Sequence, residues 1–299
     1  MQNDITTHMT SLNETQPPTS IDPALKQHTY VSPILLPVIS PSSNPEVLVF
    51  NLDDIKQLRN NCHILGVLIG TLQQYPQQNI FLSVPLKLNI YEVLWLVEYQ
   101  YAILIDQLAY RSARLKLQQE SLQGGIVEND NLTKNNILVT DNCESDRDSN
   151  LAQSFAVPIK SYLNAYFRHN NDRKSLDQFI KHYKYYKFLQ NHGFYINPGL
   201  KFGGDLVIYP GDPLRYHSYS MVKFDVVDMY DIIVGGRLAT SVKKNLILME
   251  LKGEGKNENS KNDGDEVCVD DKFLEALFDD DDDDDDEPMC FSIEWAGFG

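Results

Sequence analysis

Three residues whose side chains can transfer or stabilise charge lie beside predicted strand ends: Tyr209, His217 and Lys244. Tyr209 ends an apolar run and is followed by Pro-Gly-Asp-Pro, a sequence typical of a turn that reverses the chain. Such a turn could bring His217 back over the strand end, and Lys244 directly precedes another apolar run. A base, an acid and a cation are together enough to cut RNA through its own 2′-hydroxyl without a metal, because the cation stabilises the dianionic transition state.

The same part of the chain also allows other interpretations. A tyrosine at a strand end often serves packing alone, and Asp212 is of the residue type that forms Asx turns. A metal-dependent nuclease is the second enzymatic hypothesis. Glu250 and Lys252 follow a predicted strand and, with Asp205 or Asp212 upstream, resemble an acidic set that binds Mg²⁺.

The net charge of −16 over 299 residues is distributed unevenly. Residues 279–287 are nine consecutive acidic residues, whereas residues 171–252 contain twelve Lys or Arg and eight Asp or Glu, a local balance of +4. That local excess permits binding to phosphates. The four cysteines include no CxxC pair, which argues against a zinc site or a disulfide framework and favours a reducing compartment.

The pattern of apolar and turn-forming residues predicts an α/β chain with two domains. Residues 1–27 are expected to be a disordered lead-in, and residues 28–106 a small mixed α/β domain. A linker, largely disordered but of helical composition up to about residue 123, is expected over 107–155. The second domain, 156–299, should contain a central mixed sheet flanked by helices and a disordered acidic insertion at 253–288.

Within the second domain, the sequence predicts an aromatic-rich helix over 172–191 and a strand that delivers Tyr209 to its edge. A shorter helix is expected from about Asp228 to Val234, because Gly235-Gly236 is expected to end it. The acidic insertion is interpreted as a solvated loop whose removal, over 254–286, should leave function unchanged. The alternative is that it contacts a basic partner surface or competes with nucleic acid for the cleft.

Longer segments resemble the catalytic domain of the tRNA-intron endonuclease family. They are Gly199-Leu-Lys-Phe-Gly-Gly-Asp205, Tyr209-Pro-Gly-Asp-Pro-Leu-Arg-Tyr-His217 and Gly236-Arg-Leu-Ala-Thr-Ser-Val-Lys-Lys244. The second and third are similar to the subunit that cleaves the 3′ splice site more than to its paralogues. Asn51-Leu-Asp-Asp-Ile and Gly66-Val-Leu-Ile-Gly70 also resemble that subunit's N-terminal domain.

The resemblance implies roles for individual residues. Tyr209 would be the general base on the 2′-hydroxyl, His217 the general acid, and Lys244 the group that stabilises the transition state, with Lys243 only its neighbour. Arg237 and Trp295 occupy the positions of a cation–π pincer that grips a splice-site base at a partner's active site. Trp295 could instead anchor the last strand, and Arg237 could cap its helix.

The resemblance also implies a heterotetramer, formed with a second catalytic subunit and two structural subunits, that cuts intron-containing precursor tRNA. No cofactor or metal is expected, and the last strand near Trp295 is the expected protein contact. A non-catalytic scaffold subunit of the same complex is the remaining alternative. The expected location is the nucleus, with the cytosolic face of the mitochondrial outer membrane, as in budding-yeast relatives, as the alternative.

Overall fold

The computed structural model describes residues 33–71, 82–123, 152–170, 176–225, 228–251, 269–278 and 288–294. Within these ranges the chain forms two five-stranded mixed sheets accompanied by helices. The predicted α/β class, with a mixed N-terminal domain and a second domain on a central mixed sheet, is confirmed.

The N-terminal sheet is mixed, and two of the helices that accompany it begin at asparagine caps. Its strands are β1 (Ile34–Ile39), β2 (Glu46–Val49), β3 (Val67–Thr71), β4 (Leu82–Lys87) and β5 (Ala102–Asp106). They lie in the order β3-β4-β2-β1-β5, and only β1 and β5 are parallel. Helix α1 (Leu52–Asn61) is capped by Asn51, and helix α2 (Ile90–Glu98) by Asn89. A third helix, α3 (Gln107–Gln123), follows β5 directly.

The C-terminal sheet contains a parallel pair of strands between antiparallel neighbours. Its strands are β6 (Tyr195–Pro198), β7 (Leu206–Tyr209), β8 (Ser220–Phe224), β9 (Asn245–Leu251) and β10 (Pro288–Ile293), in the order β10-β9-β8-β7-β6. The parallel strands β8 and β9 are joined by helix α6 (Met229–Ser241), since a parallel pair requires a crossover connection. Two further helices, α4 (Ile159–Asn170) and α5 (Leu176–Asn191), precede this sheet.

A shared apolar core joins the two sheets, with α2 packed against α5. The rings of Tyr91 and Phe179 lie 5.3 Å apart between centroids, and the indole N–H of Trp95 donates to Asn191 at 3.0 Å. Each large apolar side chain buried here stabilises the fold by about 1.5–3 kcal/mol. The N-terminal domain is therefore packed into the same core as the C-terminal domain.

The predicted end of α6 at Gly235-Gly236 is wrong, because the helix continues to Ser241. Both glycines are buried, and a Cβ on Gly235 would come within 3.1 Å of Leu246 on β9. Glycine here allows the helix to approach the sheet closely, so its packing role outweighs its low helix propensity. A sequence pattern alone does not distinguish these two uses of glycine.

The disordered insertion predicted at 253–288 contains a helix, α7 (Asp271–Leu277). Its Phe273 and Leu277 are buried, and the Phe273 ring packs at 6.1 Å from Phe167 and 6.4 Å from Phe179. The low overall hydropathy of the insertion hides this short apolar repeat. Residues 252–268 and 279–287, including the acidic run, lie outside the described residues.

In the predicted linker, 107–155, the helical composition up to about residue 123 is matched by a helix, and regular structure is present again near its end. Its first part is helix α3, and near its end Ala152 is buried while Ala156, just beyond it, forms a bridge with Ile105 on β5. Helix α4 was not predicted, although Tyr162, Leu163 and Phe167 recur at helical spacing. No described helix is long and apolar enough to cross a bilayer.

Candidate active site

Three strand ends meet at one edge of the C-terminal sheet. β7 ends at Tyr209, β8 begins at Ser220, and β9 begins at Asn245. Ile208 pairs with Ser220, and Ser220 pairs with Asn245. Tyr209 follows Ile208, and Lys244 precedes Asn245. Both residues therefore lie at the same end of the sheet, on either side of the start of β8.

The side chains of Tyr209 and Lys244 share one face of the sheet. Val207, two residues before Tyr209, and Leu246, two residues after Lys244, are buried in one small apolar cluster. The Tyr209 ring packs against this cluster. Alternate residues of a strand point to the same face, which places both side chains on the face covered by α6. The Lys244 ammonium lies 4.9 Å from the centroid of the Phe202 ring, which packs on the same cluster.

The end of α6 determines which lysine reaches this face. Lys243 has a φ of 55°, its N–H donates to the Thr240 carbonyl at 3.0 Å, and the Lys244 N–H donates to the Ala239 carbonyl at 2.8 Å. This is a Schellman motif with a left-handed residue just after the helix. Lys243 is left exposed, whereas the half-buried Lys244 leads into β9.

The Lys244 side chain holds the chain segment that carries His217. Its Nζ donates to the carbonyl of Ser218, the next residue, at 2.6 Å. Burial lowers the pKa of Lys244 from its ordinary value. A cation thus lies at the edge of the sheet, bound to the backbone beside a histidine.

The connection between β7 and β8 forms the turn that its sequence predicted. The Asp212 carboxylate accepts from the Leu214 N–H at 2.8 Å, and the Asp212 carbonyl accepts from the N–H groups of Arg215 and Tyr216 at 2.8 and 2.9 Å. The Asx-turn interpretation of Asp212 is therefore confirmed. Across this turn, a Cβ on Gly211 would approach the Tyr216 ring to 2.7 Å, so a larger residue at 211 would displace that ring.

An arginine from the N-terminal domain binds this turn. Arg59, in the last turn of α1, donates from Nε to Oδ2 of Asp212 at 2.9 Å and from Nη2 to Oδ1 at 2.6 Å. These hydrogen bonds lower the pKa of Asp212 to about 2. A groove of about 360 Å³ lies between this turn and the N-terminal domain, lined in part by His63 and Tyr195, whose rings stack at 4.6 Å.

His217 itself is exposed. No hydrogen bond or ion pair to its ring is found in the part of the chain that the structure describes. The direction of the His217 side chain therefore depends on its backbone. That backbone is held on one side by the contacts of Asp212 and on the other by the hydrogen bond from Lys244 to the Ser218 carbonyl. The arrangement can supply a phenol, an imidazole and an ammonium group to one solvent-facing edge.

The acidic residues of the metal hypothesis do not converge in the structure. The Asp205 carboxylate accepts from the Phe224 N–H at 2.8 Å, Asp212 is paired with Arg59, and Glu250 lies opposite Met289 of β10. Among the described residues, no three His, Cys, Asp or Glu side chains are grouped to hold a metal ion. Lys252 lies outside the described residues.

Of the two residues of the predicted pincer, the structure describes only one. Arg237 is exposed on α6, seven residues before Lys244, and Trp295 lies just beyond the described residues. Arg59, Ser218 and Phe202 were not singled out from the sequence. Nothing in their local pattern marks them, because each contributes through a partner that is distant in the chain or through its backbone.

Two family models match the chain. Residues 179–258 match the model described as tRNA intron endonuclease, catalytic C-terminal domain, and residues 38–107 match the model described as TSEN34-like, N-terminal domain. The first range includes all three strand ends described above. The class of protein that this match indicates is an RNA-cleaving endonuclease.

Curated relatives agree with both models. A probable tRNA-splicing endonuclease subunit sen34 of Schizosaccharomyces pombe is 30% identical over 287 residues, covering 84% of this chain and 95% of the relative. The tRNA-splicing endonuclease subunit SEN34 of Saccharomyces cerevisiae is 29% identical, covering 84% and 99%. The human subunit Sen34 is 40% identical over 78 residues, 25% of each chain. The chain belongs to the tRNA intron endonuclease family and is Sen34-like.

Proposed function

We propose that this chain cleaves intron-containing precursor tRNA at the 3′ splice site, without a metal ion. The observation that carries the proposal is the edge of the C-terminal sheet, where Tyr209 and Lys244 share a face and the Lys244 ammonium binds the carbonyl next to His217. The choice of the 3′ site rests on the resemblance of residues 209–217 and 236–244 to the subunit that cuts there.

The proposed reaction uses each side chain once. Tyr209, as the phenolate, takes the proton of the 2′-hydroxyl, and the 2′-oxygen then bonds to the adjacent phosphorus. The Lys244 ammonium stabilises the charge on the non-bridging oxygens. As the bond from phosphorus to the 5′-oxygen breaks, His217 donates a proton to that oxygen. The products carry a 2′,3′-cyclic phosphate and a 5′-hydroxyl.

The proposal includes an assembly. The chain would work in a heterotetramer with a second catalytic subunit and two structural subunits, in the nucleus. The edge strand β10, on which Phe291 is 54% exposed, supports a protein contact there, because an open strand edge favours pairing. Arg237 and Trp295 would grip a base at the neighbouring active site.

The test compares His217→Ala with His169→Ala in the reconstituted complex acting on one precursor tRNA. His169 is an exposed histidine on α4, so it serves as the matched control. We expect His217→Ala to slow 3′ cleavage by roughly 10²–10⁴-fold, as for loss of a general acid, with 5′ cleavage retained. His169→Ala should leave both cuts unchanged.

Each contrary result has a separate meaning. Unchanged 3′ cleavage by His217→Ala would indicate a scaffold role, and loss of the 5′ cut instead would assign the chain to the other splice site. The ends of the products are then identified in excess chelator. Cleavage that stops in chelator, or ends that lack the cyclic phosphate, would support the metal-dependent alternative.

A further inference from the structure

We infer that Arg59 of the N-terminal domain is a positioning residue for His217, so that the N-terminal domain takes part in setting the geometry of cleavage. The inference rests on the role of His217 as the acid in the proposed function. It begins from the two parallel hydrogen bonds between the Arg59 guanidinium and the Asp212 carboxylate. Such a bidentate pair fixes orientation as well as distance.

The ion pair is sheltered. The side chains of Arg59 and Asp212 are only 28% and 25% exposed, in contrast to the Lys56–Asp53 pair on the same helix, which is 69% and 62% exposed. Exposed pairs of the second kind contribute little to structure. The Arg59 pair also joins residues 153 positions apart, so it constrains one domain against the other.

The restraint is transmitted to His217 through the turn. Asp212 binds Arg59 with its carboxylate and, through its side chain and carbonyl, accepts from the N–H groups of the next three turn residues, 214–216. His217 follows directly. Its far side is tied by the Lys244 ammonium at the Ser218 carbonyl. Removal of Arg59 releases the turn from the N-terminal domain, so the imidazole is then positioned only by hydrogen bonds within the C-terminal domain, those of the turn itself and that of Lys244.

The two tethers have different consequences for chemistry. Lys244 would act on the phosphate directly, whereas Arg59 acts only by placing the acid. A misplaced acid slows the step in which the 5′-oxygen leaves, and a displacement of about 1 Å can cost roughly 10²-fold in rate. Loss of Arg59 should therefore lower turnover while leaving the KM for precursor tRNA nearly unchanged.

The decisive experiment uses a precursor tRNA with sulfur in place of the 5′-bridging oxygen at the 3′ splice site. A thiolate leaves without being protonated, so a defect in the acid disappears with this substrate. In the reconstituted complex, we expect Arg59→Ala to cut the normal RNA roughly 10–10²-fold more slowly and the sulfur-containing RNA at the unmodified enzyme's rate. Lys56→Ala, which removes a cation from the same helix, should match the unmodified enzyme on both.

Two further variants separate positioning from folding. Asp212→Asn keeps an oxygen for the Leu214 N–H but loses the ion pair, so it should reproduce the defect of Arg59→Ala, and the double variant should be no slower than either. Arg59→Lys keeps the charge without the two parallel hydrogen bonds and should recover only part of the rate.

An Arg59→Ala defect that is equal on both substrates, or no defect, overturns the inference. Failure of sulfur to rescue His217→Ala overturns the acid role of His217 itself, and the inference with it.

Discussion

Lys243 and Lys244 are adjacent identical residues that the backbone places in different environments. Lys243 takes the left-handed conformation that ends α6, and Lys244 becomes the residue whose ammonium binds the Ser218 carbonyl. A glycine is the usual residue at the first of these positions, because it has no Cβ to strain the left-handed backbone. The division of roles implied by family resemblance thus has a conformational basis.

These two positions give a matched pair of variants. If Lys244 acts as proposed, Lys244→Ala should slow cleavage by roughly 10²–10³-fold, since it removes the cation that would stabilise the charge on the phosphate. Lys243→Gly removes the same charge but suits the left-handed backbone, so it should keep cleavage within a few-fold and leave the unfolding free energy equal or higher. Single-turnover cleavage and denaturant unfolding measure both effects. A larger loss of cleavage in Lys243→Gly would reverse the assignment.

At the scale of elements, the start of α2 contains a buried acid. The Glu92 carboxylate accepts from the Gly66 N–H at 2.9 Å and from the Asn89 N–H at 2.7 Å, which links the helix to the loop before β3. Burial raises the pKa of Glu92 to about 7, although the backbone N–H groups oppose the shift. The Glu92 carboxyl group therefore binds a proton more readily in the folded protein than in the unfolded chain.

The raised pKa of Glu92 predicts a specific pH dependence of stability. Between the ordinary pKa of 4.5 and about 7, the folded state binds more protons than the unfolded state. The unfolding free energy should therefore fall as pH rises through this window. We expect the unmodified protein to lose stability relative to Glu92→Gln from about pH 4.5 to about pH 7 in denaturant titrations. Parallel curves for the two proteins would contradict the assignment.

At the scale of the whole molecule, the insertion contributes to the core. Helix α7 packs against α5, and the N–H of the buried Val269 donates to the Asn164 side chain at 2.8 Å. The expectation that removing 254–286 has no effect is therefore revised, because that deletion would remove buried side chains from the core. Only the parts of the insertion outside 269–278 stay candidates for a neutral deletion.

A substitution within α7 tests whether it is docked. Phe273→Ala should lower the unfolding free energy by about 3–5 kcal/mol, because it leaves a cavity between the rings of Phe167 and Phe179. The exposed Glu275→Ala on the same helix should change it by less than about 0.5 kcal/mol. Equal unfolding midpoints for the two variants would show that α7 does not pack on the core.

Much of the fold followed from local sequence because its causes are local. The turn at Asp212 and the strand that ends at Tyr209 depend on residues within a few positions of one another. Apolar runs bounded by turn-forming residues predicted strands in both domains for the same reason. The types and order of Tyr209, His217 and Lys244 were also evident from the sequence, and the segments around them resemble one family.

Other features depended on surfaces that meet only in the folded chain. Helix α6 continues through Gly235-Gly236 because β9 lies against Gly235, and α7 forms where α4 and α5 offer an apolar surface. Residue types and their order along the chain specify which groups can do the chemistry. How those groups are held depends on folding: Arg59 reaches Asp212 across 153 residues, and hydrogen bonds between such distant residues exist only once packing has brought both together.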